Sequence, residues 1–297
     1  MTEPSPHAPF RRALVIHNPT AGGRKRRRLD AVLTGLEKGG CHPTLYATTR
    51  RGDAEDAARD AAARGFDVVV VAGGDGTVNE AANGLAGTGT KVPLALIPLG
   101  TANVLAAELG LSLDADTVTR TILAGKCRPV RLGRAGGRHF VLMASCGVDA
   151  AVVHGVSLAM KRHAGRLAYG WEALRQGLAY GFPEITVTID NAAYRARMAV
   201  ACKSRCYGGP FTVAPQADLG DEWLHVVLLK KGGLAAVLRY GAAMALGRLD
   251  TLADVQVVRG ARVTLGGDVP IQADGDALGT APLELSVSPH TIQLVAP

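Results

Sequence analysis

Along the first 128 residues, short apolar runs alternate with polar stretches of helical spacing. The segments ALVIHN, PTLYAT, FDVVVVA and PLALIPL have the length and composition of strands. The unbroken Val68 to Val71 run lacks polar alternation, as expected of a strand buried on both faces. Between and after them, RRLDAVLTGLEKGG, GDAEDAARDAAARG, VNEAANGLAG and ANVLAAELGL carry helical spacing, the first closed by glycines. Strands alternating with helices predict a parallel sheet covered on both faces, with ligands beyond the carboxyl ends of its strands.

From about residue 129 the pattern changes to period two. HFVLMAS, EITVTID, ARMAVAC, WLHVVLL and ARVTLGG read as antiparallel strands, interrupted by one long helical stretch, GRLAYGWEALRQGLAYG. No internal repeat or low-complexity linker intervenes. The predicted organisation is an α/β domain over residues 1–128 and a mostly β, sandwich-like domain over residues 129–297.

Composition narrows this picture. The 297 residues are 47% hydrophobic but only 4% aromatic, so the core must be built from Val, Leu and Ala, which suits helices packed closely on a sheet. A formal charge of +7 implies an acidic or phosphorylated partner. Five cysteines without a C-x-x-C pair argue against a disulfide framework or a zinc site. MTEPSPHAPFRR has no signal-peptide core, and no apolar run reaches membrane-spanning length, so the expected location is the cytoplasm. The basic runs lack interleaved aromatics, which speaks against nucleic acid.

Four strand ends carry candidate chemistry. After the first, Asn18 and Pro19 make a turn, Gly22 and Gly23 free the backbone, and Arg24 to Arg28 offer cations to a phosphate chain. After the third, Gly73, Gly74 and Gly76 permit positive φ angles, which would turn successive N–H groups toward an anion, while a helix beginning near Thr77 points its positive end the same way. Asp75 inside such a turn calls for Mg²⁺ or a proton-transfer task; the plainer alternative is that it caps a helix. After the fourth, Gly100 makes a turn and Thr101 and Asn103 present a hydroxyl and an amide at a helix start. Two such loops at successive strand ends predict a nucleotide site. Far along the chain, Asp274 and Asp276 flank Gly275, a spacing that could supply a base or bind a cation; standing alone, the segment would read first as a surface turn.

With HNPTAGG, TRRGDA, GGDGTVNEAANGL, PLGTANVLA, GGPFTVAPQAD and IQADGDALG in order, nearly the whole chain resembles the lipid kinases that include diacylglycerol, sphingosine and ceramide kinases. The resemblance implies an NAD kinase or phosphofructokinase-like α/β nucleotide domain followed by a β-sandwich-like domain, with ATP and a lipid hydroxyl meeting in a cleft. It implies that Asn18, Thr48, Gly73 to Thr77, Asn79, Glu80 and Thr101 hold ATP, joining Gly100 and Asn103 from the loop reading, and that Asp75 works beside Mg²⁺. It also implies that the acidic pair, Asp274 or Asp276, takes the hydroxyl proton.

The chain departs from the family pattern in three places. Asp276 stands where glutamate is usual; Arg131, Leu132 and Gly133 stand where Asp-x-Gly is frequent; and GDEWLH keeps Asp221 as a metal candidate while placing Glu222 and His225 elsewhere. The loss of the Asp-x-Gly acid, together with KRHAGRLAYGWEAL, which resembles a sphingosine kinase stretch, tilts the expected acceptor slightly toward a sphingolipid such as ceramide. Two rival readings stand beside the lipid kinase: an NAD kinase or sugar kinase with a soluble substrate, and a lipid-binding module that has lost catalysis. The lipid reading further implies peripheral contact with an anionic membrane at its inner face, through RKRRR or KRHAGR.

Overall fold

The computed structural model describes residues 9–19, 23–155, 175 and 178–297. Gly22, the KRHAGR segment and nearly all of the long helical stretch expected around it lie outside these residues. The chain divides into two compact units, residues 1–130 with 290–297, and residues 131–289.

The first unit is built on four parallel strands in the order β2 (His42–Ala47), β1 (Arg12–His17), β3 (Val68–Gly73), β4 (Leu94–Pro98). One face buries Val15, Val68, Val70 and Ile97 against Leu29, Val32 and Leu36 of α1 (Arg24–Lys38) and against Val118 and Ile122 of α5 (Ala115–Ala124). The alternate residues, among them Leu14, Ile16, Val69 and Val71, are equally buried, so the valine run is covered on both sides. Helix α2 (Asp53–Arg59) packs on α3 (Asp75–Ala86) at Gly84, where a Cβ would stand 2.2 Å from the carbonyl oxygen of Glu55. Only glycine lets these two backbones approach so closely. A short helix, α4 (Val104–Glu108), follows β4.

The second unit is a sandwich. One sheet runs β14 (Val255–Gly260), β13 (Leu224–Leu229), β10 (Met198–Cys202), β7 (Met143–Gly147), β16 (Pro270–Ala273), β17 (Asp276–Thr280), with antiparallel neighbours throughout. The other contains β15 (Arg262–Leu265) between β8 (Ile185–Ile189) and the first half of β18 (Leu283–Val295), with β9 (Ala192–Ala196) at its edge. Alternate residues of each sheet, such as Ala199, Val226 and Ile271 on one side and Val187, Val263 and Leu285 on the other, share one core. Helix α6 (Val148–Gly155) continues from β7, and α7 (Leu234–Ala245) lies between β13 and β14 in sequence.

The sequence division puts everything after residue 128 in one domain, but the last eight residues belong with the first unit. Strand β18 begins in the second unit and ends beside β4, where Leu294 pairs in parallel with Leu94. The 13-residue strand is continuous, and the local sign of its change of partner is Pro289, which has no N–H to give to a ladder.

Candidate functional site

In the first unit, the loops after β3 and β4 are locked to each other. A Cβ on Gly100 would lie 2.5 Å from the Cα of Gly74 and 2.6 Å from Asn103 Oδ1. This corrects the reason for the glycines: neither Gly73, Gly74, Gly76 nor Gly100 has a positive φ, and Gly74 is extended at φ −102°. Close backbone approach, not left-handed conformation, excludes a side chain at Gly100 and crowds one at Gly74, where a Cβ would lie 3.2 Å from the Gly100 Cα. Gly76 is different, since a Cβ there meets nothing within 4 Å and points to open space.

Helix α3 begins at Asp75, two residues earlier than the sequence suggests, so Asp75 and Gly76 are themselves in its first turn. Asp75 Oδ1 accepts the N–H of Leu105 at 3.1 Å and thereby caps α4. The helix-cap alternative is thus realised, on the neighbouring helix. Asn103 precedes α4 in the left-handed conformation, φ 48°, donates its amide to the carbonyl of Gly100 at 3.2 Å, and keeps a buried Oδ1 without a hydrogen-bond partner. A small pocket lined by Gly73, Gly74, Asp75, Val78, Pro98 and Asn103 lies beneath the paired loops.

The other expected nucleotide residues are less uniform. Thr48 closes β2 by donating N–H to the carbonyl of His17 at 2.9 Å, next to exposed Asn18. Thr77 lies against Gly73, Glu80 is half-buried on α3, and Thr101 is exposed on its loop. Asn79 is buried and accepts the Asn83 amide through Oδ1 at 3.0 Å, which commits that oxygen to the interior of α3. Sequence reasoning treated Arg28 only as part of a basic run. Its guanidinium reaches the carbonyl of Pro98 at 3.0 Å, directly before the second loop.

In the second unit, Asp274 and Gly275 have φ 48° and 82° and form the tight turn of the β16–β17 hairpin, the conformation an Asp-Gly pair favours. The two aspartates have separate surroundings. Asp274 accepts the N–H groups of Val141, Leu142 and Met143 at 2.6, 3.0 and 3.0 Å, a cradle that consumes its carboxylate. Asp276 opens β17, half-buried.

Behind the turn lies a network with no sequence signature. Gln272 accepts the N–H of Gly275 through Oε1 at 2.9 Å and donates to Asp149 at 3.0 Å and to Ser145 at 2.8 Å. Ser145 and Tyr207 also donate to the Asp149 carboxyl group. Burial raises the Asp149 pKa, and the bonds from Ser145 and Gln272 oppose that rise.

Asp221, the metal candidate, is engaged by protein partners. Its carboxylate receives the Asp218 N–H at 3.1 Å and lies 2.8 Å from His225 Nε2, while its carbonyl receives the ammonium of Lys203, which is 0% exposed. Among the described residues, no group of three or more His, Cys, Asp and Glu side chains is placed to hold a metal. Arg131 pairs with Glu222 at 2.7 Å, and Gly133 is fixed by packing, since a Cβ would enter the Phe140 ring.

Residues 12–135 match the diacylglycerol kinase catalytic domain, and residues 143–296 match the YegS C-terminal NAD kinase beta sandwich-like domain. A diacylglycerol kinase of Bacillus subtilis is 31% identical over 296 residues, covering 97% of each chain. The chain belongs to the diacylglycerol kinase family. One from Staphylococcus saprophyticus is 32% identical over 231 residues, 76% of this chain and 75% of that one. A crystal structure of a Bacillus anthracis diacylglycerol kinase shares the fold with a TM-score of 0.75 at 21% identity over 97% of each chain. Membership makes this chain a lipid kinase, with the α/β and β-sandwich architecture expected from its sequence.

Proposed function

We propose that the protein transfers the γ-phosphoryl group of ATP to the free hydroxyl of diacylglycerol. The observation that carries this reading is the backbone contact of Gly74 with Gly100, which joins two helix-starting loops around Asp75 and leaves Gly76 open for close approach by a ligand. The names of the relatives favour diacylglycerol over the ceramide to which the sequence leans.

In this reading, N–H groups at the start of α3 bind phosphate oxygens, with Thr77 and Thr101 as side-chain donors. Asp75, held by Leu105 through Oδ1, would be the residue to hold Mg²⁺, and the orphaned Asn103 Oδ1 of the second loop lines the same pocket as a further acceptor. The metal ion, when bound, neutralises charge on the phosphates. Asp276 accepts the hydroxyl proton as the lipid oxygen bonds to the γ-phosphorus and the bond to the β–γ bridging oxygen breaks, releasing ADP. Asp274 holds the turn. The protein works as a peripheral protein at the cytoplasmic face of a membrane.

The test is transfer of labelled γ-phosphate from Mg-ATP into mixed micelles of diacylglycerol, ceramide or a sphingoid base. Label in diacylglycerol alone supports the proposal. Label only in another lipid replaces the acceptor, and label in none while a soluble alcohol is phosphorylated overturns the reading.

A further inference from the structure

Helix α7, LAAVLRYGAAMA, is apolar on every face yet lies at the surface of the second unit. Ala236, Tyr240 and Ala243 face inward. The opposite side presents Ala235, Leu238, Ala242 and Ala245, with Leu246 directly after the helix; Leu238 is 60% exposed and Leu246 72%. A helix that is hydrophobic all round is ordinarily enclosed by protein or lipid, because its outer side gains nothing from water. Its one charged side chain, Arg239, is paired with Asp254 and lies over the Tyr240 ring. Beside it packs β12 (Phe211–Thr212), whose Phe211 is 42% exposed.

We infer that the outer face of α7, with Leu238 and Leu246 as its anchors, docks on an anionic lipid surface; the inference rests on the lipid kinase reading. Charge selects this partner. Lys230 and Lys231 precede the helix and Arg248 follows it, all exposed, and residues 230–254 hold four basic side chains against two acidic ones, one of which, Asp254, is consumed by Arg239 and Tyr240. Anionic headgroups satisfy cations at both ends of one apolar strip. A second copy would not, since a two-fold antiparallel contact sets the lysines of one helix against the arginine of the other. Twelve residues are too few to span a bilayer, so the helix would lie in the plane of the interface.

The experiment measures partition of the full chain onto phosphatidylcholine vesicles with and without phosphatidylglycerol, for the wild type, Leu238→Glu/Leu246→Glu and Lys230→Ala/Lys231→Ala. Activity on a short-chain diacylglycerol dissolved below its micellar concentration is measured in parallel, with circular dichroism as the folding control. Wild-type binding is expected to require the anionic lipid. The leucine variant should lose it at least about tenfold, the lysine variant about fivefold per cation removed, both keeping activity on the dissolved lipid. Failure of wild-type binding, or undiminished binding by the leucine variant, overturns the inference. So does a wild-type dimer that the leucine change dissociates, which would make the face a contact between copies. Absence of activity on any lipid, with vesicle binding intact, would instead remove the kinase reading.

Discussion

Asp75 and Leu105, thirty residues apart, are joined by a 3.1 Å hydrogen bond that makes the aspartate of one glycine loop the cap of the helix following the other. The side chain therefore has two separable tasks. Asp75→Asn keeps an oxygen for the Leu105 N–H but removes the charge; its thermal unfolding should stay near wild type while phosphoryl transfer falls about 100-fold or more. Asp75→Ala should show the same loss of activity and cost a further ~1 kcal/mol of stability from the missing cap. Equal unfolding of the two variants would show that the bond contributes nothing to folding.

The glycines of the two loops should respond in opposite ways. Gly100→Ala places a methyl group against Gly74 and Asn103, so denaturant unfolding should report a loss of about 1–3 kcal/mol. Gly76→Ala has room and should leave stability unchanged or slightly raised. If Gly76→Ala still weakens ATP binding in calorimetry, the open space beside Gly76 belongs to the ligand.

Asp274 and Asp276 divide in the same manner. Asp274→Ala strips the acceptor from three N–H groups and should destabilise the fold by about 2–5 kcal/mol. Asp276→Asn should remain folded while losing most of its turnover with little change in ATP affinity. Near-normal turnover by Asp276→Asn would remove it as the base.

Lys203 should make stability depend on pH. Burial pushes its pKa from the ordinary 10.5 to about 8, with Arg131 acting in the same direction and Asp221 and Asp218 opposing. Below about 8 the lysine is charged in both the folded and the unfolded chain, and the desolvation cost is fully present. Between about 8 and 10.5 the unfolded chain binds more protons, so stability rises with pH, and above that the cost is gone. Relative to Lys203→Met, the wild type should gain about 2 kcal/mol between pH 7 and pH 10 in denaturant unfolding. A constant difference would refute the shift.

Much of the α/β layer was legible because a doubly covered parallel strand leaves a mark, as the Val68 to Val71 run does. The glycine loops were legible as positions, but their cause was not: the contact of Gly74 with Gly100 links two segments that no local pattern relates. Helix α5 announces itself by Asp114, whose carboxylate caps the N–H of Thr117, a signal present in the sequence and passed over. Helix α7 has no polar face and so no amphipathic signature. The cradle around Asp274 lay beyond sequence reasoning, since its donors stand about 130 residues earlier and act through main-chain atoms that any residue supplies.

Strand β18 changes units between Pro289 and His290, and β5 (Cys127–Ala135) does so between Val130 and Arg131. In topological terms, the sandwich is an insert within a host. Arg131 Nη1 donates to the carbonyl of Pro289 at 3.2 Å, so the two ends of the insert are neighbours. A single cut can therefore never yield the complete host: truncation after residue 130 discards the segment that completes the edge of β4. Excision of residues 131–289 with a short splice would retain it, which makes this the natural route to a free-standing α/β scaffold.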